Sequence, residues 1–418
     1  MGPLEQHGMP LVVRDLAAEM LPGVPRLARE MTDHLFANMP ELVGSRDDDL
    51  YAETLASVQA NVDQALRLLR LGADVDAIVL PVEAVEYTRA LVHRGIALPL
   101  LLRMYRLGHR WFWDHWSRTL RRHISDPDEL HAAQEQLSAF TFAYVDRTSD
   151  VLVTEYAAER ERSMRGAAQL RAETVRAILA GEPLDAEVAT GRLGYALRRH
   201  HVALRVSSCA SEVRGLERAA TEAATALGTS EPLVIPSGGA TLDVWCGAFA
   251  ALDTTRLDAY TPHEGIRVAV GTCSDGVAGF RRSHDEAVQA SRIATLAAGG
   301  ANRVTRYSSV ELVALLTADL PRARAFVARQ LGPLAANTEA IARLRDTALA
   351  FLSAGGSTGR VAEKLYLHQN TVGYRIKRAE ELLGRRLTED AVELGCALRL
   401  AATLGPAVLS ERPVDDAG

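Results

Sequence analysis

Over roughly its first 165 residues the chain places apolar residues three and four apart and shows almost no extended β-branched alternation. Runs of Ala, Leu, Arg and Glu dominate, and Pro40, Pro81 and Pro99 fall where helices should start or turn into one another. The pattern predicts an all-helical domain over residues 10–165. A charged helix is expected over 150–180, interrupted at Gly166 and ended by Gly181 and Pro183, so that residues 166–182 read as a helical linker. Its apolar positions Val151, Val153, Tyr156 and Ala157 suit either a second subunit or a charged surface helix, which is the default. From about 183 to 310 the period changes to two. HVALRVS (201–207), PLVIP (232–236), LDVWCGAF (242–249) and IRVAVGT (266–272) read as strands, with helices over 212–227 and 277–298 and a shorter one near 253–260. That is an α/β domain with a mostly antiparallel sheet containing a hairpin. Helical spacing returns over 318–410, an all-α C-terminal domain.

The densest pattern is GGSTGRVAEKLYLHQNTVGYRIKRAEELLG at residues 355–384. Val361, Ala362 and Leu365 give a first short helix an apolar face, Leu367 anchors a turn, and Val372, Ile376, Ala379 and Leu383 form the stripe of a second. Opposite that stripe fall Asn370, Tyr374, Lys377 and Arg378, flanked by Thr371 and Arg375 on one side and by Gln369 and Gly373 on the other. Such a helix suits the DNA major groove, entering from about His368. Gln369, Asn370 and Tyr374 would reach base edges. Thr371, Arg375, Lys377 and Arg378 would hold phosphates, with Arg360 from the first helix nearby. Residues 357–386 carry seven Lys/Arg against three Asp/Glu in a chain whose net charge is −6, so phosphate attraction is local to this end. A basic amphipathic helix pair also occurs in many other helical domains, and periodicity alone leaves the two readings even.

The run LAFLSAGGSTGRVAEKLYLHQNTVGYRIKRAEELLGRRL resembles the C-terminal helix-turn-helix of the purine-catabolism regulator (PucR/CdaR-like) transcription factors. The shared positions include Gly355, Gly356, Val361, Ala362, Leu365, His368, Asn370, Thr371, Val372, Tyr374, Arg375, Arg378, Glu380, Glu381, Leu382 and Gly384. Residues 318–347 resemble the approach to that motif. Gln369 and Gly373 depart from it, standing where the family often has Arg. RALVHRGIALPLLLRMYRLGHRWFWDHW, chiefly Gly95 to Trp116, resembles the N-terminal helical domain of RsbT co-antagonists of the RsbRD type. VAVGTCSDGVAGFRRSHDEAVQASRIA resembles the GGDEF-like middle domain of the same regulators. Together these resemblances imply a sequence-specific transcriptional regulator that answers a metabolite or another signal. Its partners would be double-stranded DNA, a second copy in a homodimer or higher oligomer, and an unidentified small-molecule or protein signal at the N-terminal domain. The alternative is a stress-signalling interaction module whose C-terminal helices bind protein.

The resemblance to GGDEF domains does not extend to cyclase chemistry. Between the hairpin strands stands PSGGATLD, with Ala240 and Thr241 where a cyclase needs acids to hold Mg²⁺, and Asp243 alone makes a poor metal site. GGSTGR lacks the Lys-Ser/Thr of a phosphate-binding loop, and its Ser357 or Thr358 is better read as a helix cap. No GxSxG or HExxH occurs, and His284 with Asp285, read as the start of a helix, should cap it and pair charges. The chain is therefore not expected to be an enzyme, and no cofactor is implied. His93, His109, His115 and His123 lack metal-site spacing, and Cys209, Cys246, Cys273 and Cys396 form no CxxC pair. Trp111, Trp113 and Trp116 cluster near Tyr105; their first reading is core, and they are the candidates for a ligand site or interface. With 418 residues, 48% apolar and 24% charged, the chain should form two or three globular domains. MGPLEQHGMP shows no signal peptide, and arginines break the most apolar run, LVHRGIALPLLLRMYRL, so a cytoplasmic protein without a membrane partner is expected.

Overall fold

A computed structural model describes residues 9–43, 48–73, 79–208, 215–297 and 303–410. Contacts divide the chain into two compact units that meet between Ala168 and Gln169. The opening residues read for a signal peptide, Cys209 and the first residues of the helix expected from 212 lie outside the described ranges.

The first unit contains helices α1 (Leu11–Met20), α2 (Val24–Asn38), α3 (Pro40–Val43), α4 (Asp48–Leu71), α5 (Val82–His93), α6 (Leu98–His123) and the first part of α7 (Pro127–Ala180). Pro40 opens α3, Pro81 precedes α5 and Pro99 lies in the first turn of α6, positions where a missing N–H costs nothing. On α6, Leu101, Met104, Gly108, Phe112, Trp116 and Leu120 recur at helical spacing and are buried. They meet Leu27, Leu66, Leu69, Leu137 and Phe140 in one core and Leu50, Tyr87 and Leu91 in another. Helix α7 does not break at Gly166; it runs unbroken for 54 residues. Open space surrounds Gly166, and the single penalty of about 1 kcal/mol for glycine is outweighed by the Arg, Ala, Gln and Leu around it.

In the second unit follow α8 (Ala186–Leu193), β1 (His200–Ser208), α9 (Leu216–Ala226), β2 (Leu233–Pro236), β3 (Thr241–Ala248), β4 (Ile266–Val270), β5 (Ser274–Asp275), α10 (Gly276–Leu296) and β6 (Val304–Arg306). The expected short helix near 253–260 is a 3₁₀ turn, Thr254–Ala259, capped by Asp253. The sheet runs β2-β3-β1-β4-β6, with the short β5 also pairing β1. Its pairs are antiparallel except β4–β6, and β2 and β3 form the expected hairpin. Alternation sorts the two faces. Val202, Leu204 and Val206 of β1 pack on Ala219, Ala220 and Ala223 of α9, while Ala203 shares a core with Trp245, Phe280 and Ala287 on the other face.

The C-terminal helices are α11 (Tyr307–Leu316), α12 (Leu320–Leu331), α13 (Glu339–Ser353), α14 (Thr358–Leu365), α15 (Gln369–Leu383) and α16 (Ala391–Leu404). Their core includes Ala269, Ala290 and Ile293 from the sheet domain, so apolar packing is continuous across residue 310. Arg292 of α10 strengthens that join by donating to the carbonyls of Ala314 and Thr317 at 3.0 and 2.9 Å. Among the described residues no helix is long and apolar enough to cross a membrane. Cys246, Cys273 and Cys396 are free thiols.

Candidate nucleic-acid interface

Three helices build the C-terminal reader, and their apolar faces explain why. Leu344 and Ala348 of α13, Val361 and Ala362 of α14, and Val372, Ile376 and Ala379 of α15 are buried together. Leu387, just beyond α15, closes this core, and its N–H donates to Glu380 Oε1 at 3.0 Å. Arg345 of α13 is buried too, donating to the carbonyls of Leu334 and Ala336 at 2.8 and 2.7 Å and so fixing the platform to the preceding 3₁₀ turn. Ser357 caps α14, its hydroxyl accepting from the Arg360 N–H at 3.4 Å. Gly384 ends α15 in the left-handed conformation, φ 69°.

The turn between α14 and α15 holds a residue whose role the sequence reading passed over. Tyr366 has φ 54°, ψ 44°, left-handed, and its amide donates to the carbonyls of Ala362 and Glu363. The Leu367 amide also reaches the Ala362 carbonyl, at 2.9 Å, while the Leu367 side chain packs on the core. A tyrosine in this conformation costs about 1 kcal/mol that glycine would avoid. Its side chain is 94% exposed, beside the start of the second helix. The available signal was a bulky residue in a tight turn that ordinarily calls for glycine.

At the start of α15, His368 is the cap, its Nδ1 accepting the Asn370 N–H at 3.2 Å. The structure brings Arg360, His368, Gln369, Asn370, Tyr374, Lys377 and Arg378 to the exposed surface of the two helices. Gly359 of α14 leaves room for Gln369, whose Nε2 lies 3.4 Å from where a Cβ would stand. Thr371 and Arg375 are half-buried, and Arg375 Nη1 lies 3.5 Å from Thr347 Oγ1 on α13. Arg378 pairs with Glu381 at 3.1 Å, both about half exposed, a contact worth little in water. Lys364 and Arg386, which belong to the local basic surplus, are also exposed.

The other predicted groups take different places. Tyr105 lines a cavity in the helical unit. Trp116 is fully buried core, and Trp111 and Trp113 pack at the margin of the same cluster, Trp111 stacked on His115 at 5.2 Å. His284 is not near the helix start but in the third turn of α10, where it meets the sheet. Its ring stacks on Trp245 at 5.2 Å, and its Nε2 lies 3.2 Å from Asp243 Oδ2. Asp285 stands 3.8 Å from His284 Nδ1. Burial pushes the Asp243 carboxyl up, but the neighbouring His284 and Ser237 and the charge of Arg205 outweigh it and leave the pKa lowered. The hairpin's one acid is thus enclosed in side-chain pairing. Among the described residues no group of three or more metal-ligating side chains comes together.

Three protein families match along the chain. The RsbT co-antagonist protein RsbRD N-terminal domain matches residues 25–171, the GGDEF-like domain 180–293, and the PucR C-terminal helix-turn-helix domain 344–400. The transcriptional activator PmfR of Paenarthrobacter nicotinovorans is 31% identical over 140 residues, covering 33% of this chain and 29% of the activator. An uncharacterised protein of Mycobacterium tuberculosis is 35% identical over 125 residues, covering 28% of this chain and 29% of that one. The matched part thus spans less than a third of either relative. The crystal structure of a regulator of polyketide synthase expression from Bifidobacterium adolescentis aligns with 56% of this chain and 98% of its own, at 22% identity and a TM-score of 0.30. The chain carries, in order, an RsbRD-type N-terminal domain, a GGDEF-like domain and a PucR-type helix-turn-helix domain.

Proposed function

We propose that this chain is a sequence-specific, DNA-binding transcriptional regulator without catalytic activity of its own, acting in the cytoplasm as a homodimer or higher oligomer. One observation carries the reading. Helix α15 is locked into a core by Val372, Ile376 and Ala379 while Gln369, Asn370, Tyr374, Lys377 and Arg378 stand exposed together. Rigid backing with an amide-, phenol- and cation-bearing face is what major-groove reading requires. Gln369, Asn370 and Tyr374 take the base edges. Arg360, His368, Thr371, Lys377 and Arg378 hold the backbone, joined by Lys364. Arg375, shared with Thr347, steadies the helix and lends charge at shorter reach. The PucR-type domain supports this reading, as does the likeness to a transcriptional activator. The paired, buried Asp243 and the acid-free turn preceding it speak against cyclase chemistry.

The test is fluorescence anisotropy of the full chain with duplex DNA from upstream of its own gene, titrated with salt and scrambled competitor. Binding should outlast competitor, with a log–log salt slope near −7 if a dimer neutralises about eight phosphates. Binding that neither discriminates nor weakens with salt would sink the proposal. The C-terminal helices would then be a protein-binding surface, a reading favoured by half-buried Gly373, which leaves a gap in the face of α15.

A further inference from the structure

The helical unit contains a cavity of about 70 Å³ that neither DNA reading nor the sheet domain uses. Part of its wall is apolar: Met31, Val62, Met104, Phe112 and Phe140. Its polar groups are uncharged, among them Asn61, Tyr105, His109 and Tyr144 with the hydroxyls of Thr54 and Ser57. We infer that this cavity binds a small uncharged ring compound bearing a hydroxyl, of the phenol class, with its ring among the methionines and its hydroxyl on His109.

The polar groups narrow the ligand. Most of them already serve one another. Tyr144 donates to Asn61 Oδ1 at 3.2 Å and Gln64 Oε1 at 3.1 Å, and Asn61 donates to the Ser57 carbonyl at 2.8 Å and the Tyr105 hydroxyl at 3.5 Å. Thr54 donates to the Tyr87 hydroxyl at 2.9 Å. His109 is the exception: its Nδ1 is wholly enclosed and has no hydrogen-bond partner among the described residues. Its ring lies between Tyr105, at 6.1 Å, and Tyr144, edge-on at 5.9 Å. Burial holds the imidazole neutral, with its pKa lowered to about 4 and the Tyr105 carbonyl offsetting only part of that. An imidazole nitrogen enclosed without a partner carries a desolvation cost that a hydrogen bond to a ligand hydroxyl would recover.

Charge and size narrow it further. No Asp, Glu, Lys or Arg lines the cavity, so an ion entering it would lose hydration without a counter-charge. As it stands the space suits a few waters, since a dry cavity of about 150 Å³ is what holds benzene. Met31 and Met104 supply the difference, because unbranched thioether chains repack around a guest more readily than leucine or phenylalanine. The inference is independent of the DNA-binding reading: failure here leaves the interface on α15 untouched, and the reverse also holds.

Titration calorimetry on the full chain, with phenol, benzene and benzoate as probes, tests it. Phenol should bind with Kd of about 1 mM or tighter, and benzoate should not bind detectably. His109→Phe, which keeps a ring and removes the nitrogens, should weaken phenol about tenfold or more while leaving benzene nearly unchanged. Val58→Phe, at a partly buried lining position, should abolish both. It also decides the matter if His109→Phe fails to give the wild-type circular dichroism spectrum. No saturable phenol binding, equal affinity for benzoate, or phenol binding that survives Val58→Phe would each overturn the inference.

Discussion

At the scale of single residues, His109 sets a measurable pH dependence. Its folded pKa of about 4 lies below the ordinary 6.5, because burial disfavours the cation. Between those values the unfolded chain takes up a proton that the folded chain refuses. Stability should therefore be flat above pH 6.5 and fall as pH drops toward 4, by up to about 3 kcal/mol for this one group. Asp243, with its carboxyl held low, works in a separate window: its contribution is present above the ordinary carboxylate range and is lost only as pH falls below it. Urea unfolding of wild type and His109→Phe from pH 4 to 7.5 checks the sign. The variant's curve should be the flatter, and parallel curves would remove His109 from the account. On the reading helix, residues of two kinds should separate. Asn370→Ala should narrow the difference between operator and scrambled DNA, by about 1–3 kcal/mol, with the salt slope nearly kept. Lys377→Ala should weaken both duplexes alike and lower the slope by about one per site. Anisotropy with both duplexes distinguishes the patterns, and a salt slope unmoved by Lys377→Ala would take that lysine off the phosphates.

At the scale of elements, what the sequence made legible was whatever periodicity controls. The stripe Val372, Ile376 and Ala379 located α15, and the cap read as Ser357 or Thr358 located the start of α14, where the structure has Ser357, because caps and stripes are local chemistry; the Gly384 stop of α15 was not read. The alternating runs located the hairpin in the same way. What stayed hidden depends on partners far along the chain. His284 looked like a residue near a helix start, yet its position is set by Trp245 and Asp243, some forty residues earlier. Gly166 looked like a break, but one weak position does not stop a helix whose neighbours all favour it. Tyr366, exposed, and Gly373, half-buried, are local conflicts the other way, poor choices for their backbone that persist in the reader. Two substitutions test whether they are kept for binding. Tyr366→Gly should relieve the left-handed turn and stabilise the domain by about 1 kcal/mol. Gly373→Ala, whose added methyl meets only open space, should add about 0.5–1 kcal/mol. Denaturant midpoints read the stability and anisotropy the affinity. If stability rises and operator affinity falls at least severalfold, the unfavourable residues serve the DNA. If both rise together, they serve nothing at that surface.

At the scale of the whole molecule, three domain types on one chain give a reader, a sheet domain and a helical unit with a cavity, and their order was readable from the change of hydrophobic period together with the resemblance to three families. The cavity was not, because it is made by side chains from several helices, among them α2, α4, α6 and α7, whose meeting no local pattern records. The oligomer follows from a different constraint. One helix such as α15 contacts only a few base pairs, too few to single out a site in a genome, so the proposed regulator places two readers together on one duplex. Two readers held by a fixed dimer accept half-sites only on the same face of the DNA, separated by about 34 Å or a multiple of it. Inserting about five base pairs between the half-sites should therefore cost most of the specific affinity, while inserting about ten, one full turn, should restore much of it. The measurement is anisotropy on a spacer series built from the footprinted operator, with sedimentation giving the protein stoichiometry on each duplex. Affinity that declines smoothly with spacing, at one chain per duplex, would mean that the reader works alone.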